Sequence, residues 1–285
     1  MILLTGAAGK TGRAILQALA KREAAVRVFV RSRDQASDLL AAGATEALLG
    51  DFTSIDALHT ATKGISSLYH ICPNMHPAEI EIGRSIIKIA AETGVKHFVY
   101  HSVLHPQTEK MPHHWNKLRV EELLLEAGLQ FTILQPAPYM QNILASREAI
   151  LKEGLYRAPY PAATALSLID LQDLGEAAAI VLTGEGHTNA VYELAGTEAL
   201  SQEALVKALT AETGRTVRYE EVNLADWQKT AAASGLSAYG IGTLTKMFNY
   251  YAAFGLKGNT KSLCWLLGRQ PHSLEVFIKR EIIAH

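Results

Sequence analysis

Short apolar runs alternate with amphipathic stretches through the first half of the chain. The apolar runs predict strands at Ile2–Leu4, Val26–Val30, Glu46–Leu49, Ser67–Ile71, His97–His101 and Phe131–Leu134. The stretches between them predict helices near Thr11–Lys21, Gln35–Ala42, Ser54–Thr62, Ala78–Thr93 and His113–Ala127. Gly43, Gly94 and Gly128 stand where three of these helices should end. Such an alternation predicts an α/β fold with a doubly wound parallel sheet, whose ligands bind at the carboxyl ends of the strands.

After Pro136 the pattern becomes less regular. It predicts a helix at Tyr139–Glu153, a strand at Leu166–Ile169, a helix at Leu174–Leu182 and a strand at Val191–Ala195 that should rejoin the sheet. From Ser201 to His285 the pattern is mostly helical, with one strand at Val217–Val222. We therefore expect a larger domain of residues 1–135, with 164–196 rejoining it. Residues 136–163 and 197–285 should form a smaller, mostly helical C-terminal cap domain that binds substrate.

A glycine-rich segment, Thr5-Gly-Ala-Ala-Gly-Lys-Thr-Gly12, connects the first predicted strand to the first predicted helix. In a Rossmann sheet, the first glycine of such a turn permits a tight reversal and the second lets backbone N–H groups approach a pyrophosphate. The third lets helix and strand pack closely. The segment therefore predicts dinucleotide binding, and the alternative is a purely structural turn. The expected cofactor contacts are Thr5, Gly6, Ala8, Gly9, Lys10, Thr11 and Gly12.

The end of the second predicted strand indicates which dinucleotide is bound. Arg31 stands nineteen positions after Gly12, where an NAD-binding chain would carry an acidic residue for the ribose 2′-hydroxyl. Guanidinium groups at Arg31 and Arg33 suit the 2′-phosphate of NADP(H). The alternative is that both arginines are solvated strand-end residues. Asp34 is expected to be the N-cap of the next helix.

The next two strand ends carry further candidates for cofactor binding. Asp51 and Phe52 follow the third strand, where a carboxylate and an aromatic edge could bracket an adenine. A capped turn with a buried phenylalanine explains the same pair equally well. Cys72 and Pro73 follow the fourth strand, where the loop could pass the nicotinamide ribose.

Composition narrows the functional class. Apolar residues make up 48% of the 285 positions and charged residues 19%, which is typical of a chain with a sizeable core. The formal net charge is −1 and the sequence contains no basic run, so nucleic-acid binding and anionic-membrane binding are not expected. Cys72 and Cys264 are far apart, and neither a signal peptide nor a membrane span is evident. These features predict a cytoplasmic protein.

The motifs together resemble the NmrA-like branch of the atypical short-chain dehydrogenases/reductases. The segments that carry the resemblance run in order along nearly the whole chain: Thr5–Gly12, Gly50–Phe52, Gly94–Ser102, Asn116-Lys117, Gly128–Pro136, Tyr139–Asn142, Asp170–Asp173, Tyr192–Gly196 and Leu200–Glu203. The resemblance implies NADPH-dependent reduction of quinones, aryl ethers or triphenylmethane dyes. It also admits regulators that bind a dinucleotide without turning it over.

The resemblance also suggests catalytic residues. Short-chain dehydrogenases usually pair a strand-five serine with a Tyr-x-x-x-Lys motif on the next helix, which here falls on Ser102, His113 and Lys117. Lys117 is expected to contact the ribose or the substrate, with a solvated lysine as the alternative. His113, in place of the tyrosine, is either a proton donor or a capping or exposed residue. Tyr139 is expected to line the cleft. The neighbouring histidines have no carboxylate or cysteine partner, so no metal site is expected.

Two functions remain open at this point. The first is an NADPH-dependent reductase of a small quinone-like or other conjugated aromatic molecule, since such an acceptor can take hydride and draw its proton from solvent. The absence of the tyrosine keeps open a second function, a non-catalytic NADP(H) redox sensor that binds a partner protein.

Overall fold

The computed structural model describes residues 1–284, and in its first half strands and helices alternate as predicted. The strands are β1 (Ile2–Thr5), β2 (Val26–Val30), β3 (Glu46–Leu49), β4 (Ser67–His70), β5 (His97–His101) and β6 (Phe131–Pro136). The helices are α1 (Lys10–Ala20), α2 (Arg33–Ala41), α3 (Ile55–Thr62), α4 (Glu79–Glu92) and α5 (Pro112–Glu126). Gly43, Gly94 and Gly128 have positive φ angles, as helix-terminating glycines do.

The second half is more irregular. A 3₁₀ segment, Met140–Ser146, leads into α6 (Arg147–Glu153), followed by β7 (Leu155–Ala158), β8 (Ala165–Leu166), α7 (Leu171–Thr183), β9 (Ala190–Leu194) and β10 (Leu200–Ser201). Next come α8 (Gln202–Thr213), β11 (Arg218–Glu221), α9 (Leu224–Ala233), α10 (Ala238–Phe254), α11 (Lys261–Leu267), α12 (Leu274–Phe277) and a π-helical segment, Ile278–Ile283. The predicted strand near Val217–Val222 and the helical character of this region are therefore confirmed up to residue 284.

The main sheet has the strand order β3-β2-β1-β4-β5-β6-β9, which is that of a Rossmann fold. β1 pairs in parallel with both β2 and β4, so the strand order reverses beside β1. Ligands of such sheets bind outside the carboxyl ends at this reversal. β9 extends the sheet beside β6, which confirms that the strand predicted at Val191–Ala195 rejoins it.

The chain forms two compact units. The first comprises Met1–Gln107, His114–Pro136 and Leu171–Tyr192, and the second comprises Thr108–His113, Ala137–Asp170 and the chain from Glu193 onward. The core of the first unit lies around β4 and β5, where Tyr69, Phe98 and Tyr100 are fully buried. In the second unit, β7 pairs with β11 and β8 with β10. None of the helices described up to residue 284 has both the length and the apolar character needed to cross a bilayer.

Two predicted elements of the second unit are wrong in part. The helix predicted over Tyr139–Glu153 begins as a 3₁₀ segment, because Met140 N is held by Ile169 O at 2.9 Å and Asn142 N bonds back to Tyr139 O. The predicted strand Leu166–Ile169 is confined to Ala165–Leu166. Beyond Leu166 the backbone bonds to three other segments rather than to one partner strand: Ser167 N to Leu256 O, Gly196 N to Leu168 O, and Ile169 N to Pro138 O.

Candidate functional site

The glycine turn between β1 and α1 has the shape that a nucleotide-binding turn requires. Gly6 has φ +64°, and a Cβ atom there would lie 2.8 Å from Ile71 Cβ. A Cβ at Gly12 would lie 2.5 Å from Ala7 Cα and would also overlap Gly6 O. Side chains at either position would therefore collide with the loop after β4 or with the turn itself.

The turn presents backbone N–H groups to an anion. Gly9 is the N-cap of α1 and, being glycine, supplies no capping side chain. Gly9 and Lys10 are exposed, and Ala8 and Thr11 are half-buried. An exposed helix N-terminus whose first turn carries Lys10 and Arg13 favours bound phosphate. The cradle that a Cβ would fill and this exposed terminus together fit the pyrophosphate of a dinucleotide.

Thr5 serves the sheet under this turn. Its side chain is fully buried, and its hydroxyl accepts a hydrogen bond from Ile71 N at 3.0 Å. The same hydroxyl lies 3.0 Å from His70 Nδ1. Thr5 therefore joins the end of β1 to the end of β4, and its contribution to the turn is to hold these two strand ends together.

Arg31 and Arg33 are both solvent-exposed at the end of β2. The N-cap of α2 is Ser32, whose hydroxyl accepts a hydrogen bond from Gln35 N at 3.3 Å. The prediction that Asp34 is the N-cap is therefore wrong, because Arg33 already lies in the helix and Asp34 in its first turn. Arg31 N donates to Gln35 Oε1 at 3.0 Å, which fixes the backbone at the strand end.

At the end of β3, Asp51 and Phe52 have different surroundings. Asp51 is exposed and accepts hydrogen bonds from the backbone and hydroxyl of Thr53, which lower the pKa of its carboxyl. Phe52 is half-buried and packs edge-on against Phe29, with ring centroids 6.0 Å apart, and against His70 at 5.5 Å. The Asp51 carboxylate thus caps a turn, and the half-buried Phe52 ring packs against the core of the first unit.

At the end of β4, Cys72 and Pro73 are also unlike one another. Cys72 is buried, and burial raises the pKa of its thiol, with the Glu79 carboxylate raising it further. Pro73 is exposed. The exposed residue at this strand end is therefore Pro73, whereas Cys72 is buried.

Lys117, on α5, reaches back to the end of β5 and to α4. Its Nζ donates to Glu79 Oε1 at 2.7 Å and to His101 O at 3.2 Å. The ammonium also lies 5.5 Å from the ring centroid of Tyr100. The side chain of Lys117 is 14% exposed and that of Glu79 is 3% exposed, so this is a largely buried ion pair and not a solvated lysine.

Ser102 is engaged in a second buried network at the same strand end. Its hydroxyl donates to Glu121, one turn after Lys117 on α5. Gln135 Nε2 donates to the same carboxylate, 2.9 Å from Oε1 and 3.1 Å from Oε2. Burial raises the pKa of Glu121. Ser102 and Lys117 are therefore brought together at the end of β5, each already bound to its own carboxylate.

Two buried histidines on adjacent strands stay neutral in the first unit. His70, on β4, stacks on Tyr100 at 6.0 Å between centroids. His101 Nδ1, on β5, lies 2.8 Å from Tyr69 OH. Burial, and then the charge of Lys117, lowers the pKa of each to about 3. His114 is also buried, lies 3.1 Å from His105 O through Nδ1, and has its pKa lowered by burial to about 4.

His113 and Tyr139 belong to the second unit. His113 is 7% exposed, so it is neither a solvent-exposed residue nor an exposed helix cap. Tyr139 is half-buried and forms a parallel bridge with Ile169.

Reasoning from the sequence missed the carboxylates of this region. Glu79 and Glu121 are the partners of Lys117 and Ser102, and both are buried. Each lies on a helix, where a lone glutamate is typical of a solvated face. The spacing of Glu121, four residues after Lys117, was a signal that both lie on one side of α5. No comparable signal linked Glu79 to Lys117, because 38 residues separate them.

Comparisons with known proteins agree with this fold. The chain is 27% identical to the NAD(P)H azoreductase of Xenophilus azovorans, over all of this chain and 99% of that one. It is 29% identical to quinone oxidoreductase 2 of Escherichia coli, over 96% of each chain. The crystal structure of the NADPH-dependent quinone oxidoreductase QOR2 of Escherichia coli, complexed with NADPH, superposes with a TM-score of 0.86. That match has 28% identity and covers 98% of this chain and 99% of that one.

A family model covers almost the whole chain as well. It spans both compact units, from the residue before β1 into the π-helical segment Ile278–Ile283. With the fold, the glycine turn and the relatives in agreement, the match over residues 1–279 establishes that the chain belongs to the NmrA-like family.

Proposed function

We propose that the protein is an NADPH-dependent reductase that transfers hydride to a quinone-like or other conjugated aromatic molecule. The observation that carries the proposal is the exposed, uncapped N-terminus of α1 behind a turn where only glycine fits. Relatives named azoreductase and quinone oxidoreductase, matched over nearly their full length, support the choice of acceptor. Free cysteines at Cys72 and Cys264 support a reducing, cytoplasmic environment.

The residues of this chain would hold the cofactor from its phosphates to its nicotinamide. The turn Gly6–Gly12 offers backbone N–H groups to the pyrophosphate, and Arg31 with Arg33 binds the 2′-phosphate. Phe52 and Asp51 flank the adenine, and the backbone at Cys72-Pro73 passes the nicotinamide ribose. Lys117 donates to that ribose, and Tyr139 lines the substrate side. When bound, NADPH supplies the hydride.

The proton that accompanies hydride transfer can come from water. A quinone or an extended dye becomes a stabilised anion on accepting hydride, so it needs no strong general acid from the protein. His113 occupies the position of the usual tyrosine and is buried. The reaction we propose therefore requires the protein to hold and orient two flat molecules and to exclude water between them, with Ser102 and His113 as candidate polar groups for this step.

A calorimetric titration with NADPH, NADP+, NADH and NAD+ tests the cofactor assignment. We expect both phosphorylated forms to bind, and Arg31→Ala to weaken them about ten- to a hundredfold, the value of one charge-assisted hydrogen bond. NADH and NAD+ serve as the internal control, since they lack the 2′-phosphate and should be affected little. If Arg31→Ala weakens the binding of NADPH and the binding of NADH equally, Arg31 does not bind the 2′-phosphate.

The same titration examines the alternative of a redox sensor that binds a partner protein. A sensor must bind one redox form much more tightly than the other, because only differential affinity shifts an equilibrium. Similar affinities for NADPH and NADP+ together with turnover would exclude the sensor. A strong preference for one form without any turnover would favour it over the reductase.

A further inference from the structure

The buried carboxylate of Glu79 is not explained by the fold or by the cofactor contacts proposed above. We infer that Glu79 is a positioning residue: it fixes the Lys117 ammonium at the carboxyl end of β5, in the orientation that cofactor binding needs. The inference rests on the proposed function, in which Lys117 contacts the nicotinamide ribose.

The geometry of the contact supports this role. Glu79 Oε1 lies 2.7 Å from Lys117 Nζ and also accepts a hydrogen bond from Tyr100 OH at 3.3 Å. Tyr100 thereby holds the carboxylate in place from β5, while Glu79 holds the ammonium from α4. Together with the bond from Nζ to His101 O, these contacts attach one flexible lysine side chain to two different elements.

Several titratable groups surround the Lys117 ammonium, and Glu79 supplies its counter-charge. The titratable groups that interact with this lysine include Glu79 on α4, His70 on β4, Cys72 after it, Tyr100 and His101 on β5, and His114 and Glu121 on α5. Burial keeps the three histidines and the thiol neutral at physiological pH. The Glu121 carboxyl is engaged by Ser102 and Gln135. Glu79 is therefore a buried carboxylate in direct contact with the ammonium, at 2.7 Å.

Loss of this counter-charge has a specific physical consequence. A lysine with 14% of its side chain exposed is largely desolvated, and desolvation disfavours the protonated form. Without Glu79, Lys117 should release its proton at a lower pH or move toward solvent. Either change removes a cationic donor from the cofactor, and the first makes cofactor binding depend on pH.

The test measures the dissociation constant of NADPH between about pH 7 and about pH 9, above the second pKa of the 2′-phosphate, for the unchanged protein and five variants. Glu79→Gln removes the charge and keeps the shape, and Glu79→Asp keeps the charge. Lys117→Met removes the ammonium. It is tested as a single variant and as a double variant with Glu79→Gln. Glu92→Gln is the matched control, because Glu92 lies on the same helix and forms exposed pairs with Lys88 and His59.

We expect Glu79→Gln to weaken NADPH binding about tenfold at neutral pH and further as the pH rises, whereas the unchanged protein and Glu92→Gln show little dependence on pH. Glu79→Asp should bind NADPH with an affinity that depends little on pH and lies between those of Glu79→Gln and the unchanged protein. In the Lys117→Met background, Glu79→Gln should cause no further loss, because it acts through Lys117.

Two results would overturn the inference. One is a Glu79→Gln variant whose affinity and pH profile match those of Glu92→Gln. The other, which remains measurable if the single variant fails to fold, is a double variant that binds NADPH clearly more weakly than Lys117→Met. A different result, in which Lys117→Met binds NADPH as tightly as the unchanged protein, would contradict the proposed role of Lys117 itself and with it the role of Glu79.

Discussion

At the scale of single residues, the glycine at position 12 decides whether the turn can form. A Cβ at this position would overlap the backbone of Gly6 and Ala7, which cannot move without displacing the whole turn. We expect Gly12→Ala to lower the free energy of unfolding by about 1–3 kcal/mol, as overpacking does, and to abolish tight NADPH binding. Chemical denaturation and calorimetry measure the two effects.

Gly242 provides the control for that substitution. It also lies in a helix, α10, but a Cβ there would meet no atom within 4 Å. Gly242→Ala should therefore raise the free energy of unfolding by about 0.5–1 kcal/mol, since alanine favours helix. Equal effects of the two substitutions would show that the close approach at Gly12 does not matter.

The same scale shows what the sequence could and could not reveal about the site. The turn at Gly6 and Gly12 follows from local spacing, because a turn between strand and helix is specified by adjacent residues. The partners of Lys117 and Ser102 were missed, because both contacts depend on tertiary packing: an ion pair joins Lys117 on α5 to Glu79 on α4, and a hydrogen bond joins Ser102 after β5 to Glu121 on α5. The Asp34 prediction was wrong because Ser32 stands two positions earlier and caps the helix first.

At the scale of elements, the central strands contain buried histidines that make stability depend on pH. The pKa of His70 is lowered by burial to about 3, whereas the unfolded chain binds a proton near the ordinary value of 6.5. Between these values the unfolded state binds more protons, so stability falls as the pH falls below about 6.5. We expect His70→Phe to reduce the loss of stability between about pH 6.5 and about pH 5 by up to about 2 kcal/mol.

Urea denaturation at several pH values measures this slope. Phenylalanine suits the position because the His70 ring packs among Phe52, Phe98 and Tyr100. His59→Asn is the control, since the side chain of His59 is 40% exposed and does not lie in the core. An unchanged slope in His70→Phe would mean that His70 is protonated in the folded state.

The elements also differ in how well their sequence specifies them. The strands of the main sheet were predicted to within two residues, because each is a short apolar run bounded by turn or capping residues. The segment Leu166–Ile169 was predicted as one strand, and of these residues only Leu166 lies in a strand, β8 (Ala165–Leu166). Its backbone partners come from around Pro138, Gly196 and Leu256, and no local pattern encodes three distant partners.

At the scale of the whole molecule, the fold and the family could be predicted from the alternation of strands and helices and from the ordered motifs. The chemistry depends on two bound molecules, NADPH and the acceptor. The relatives named azoreductase and quinone oxidoreductase match this chain along nearly its whole length, and our account assigns the same class of reaction to it. Binding of NADPH alone would not separate a reductase from a sensor.

The most direct test of the account is the consumption of NADPH by the purified protein in the presence of a soluble quinone under anaerobic conditions. We expect one NADPH and one proton to be consumed for each quinone reduced to hydroquinone, and NADH to be used more slowly. Azo compounds and enones serve as further acceptors in the same assay. If NADPH binds but is not consumed with any of these three acceptor classes, the protein is not the reductase proposed here.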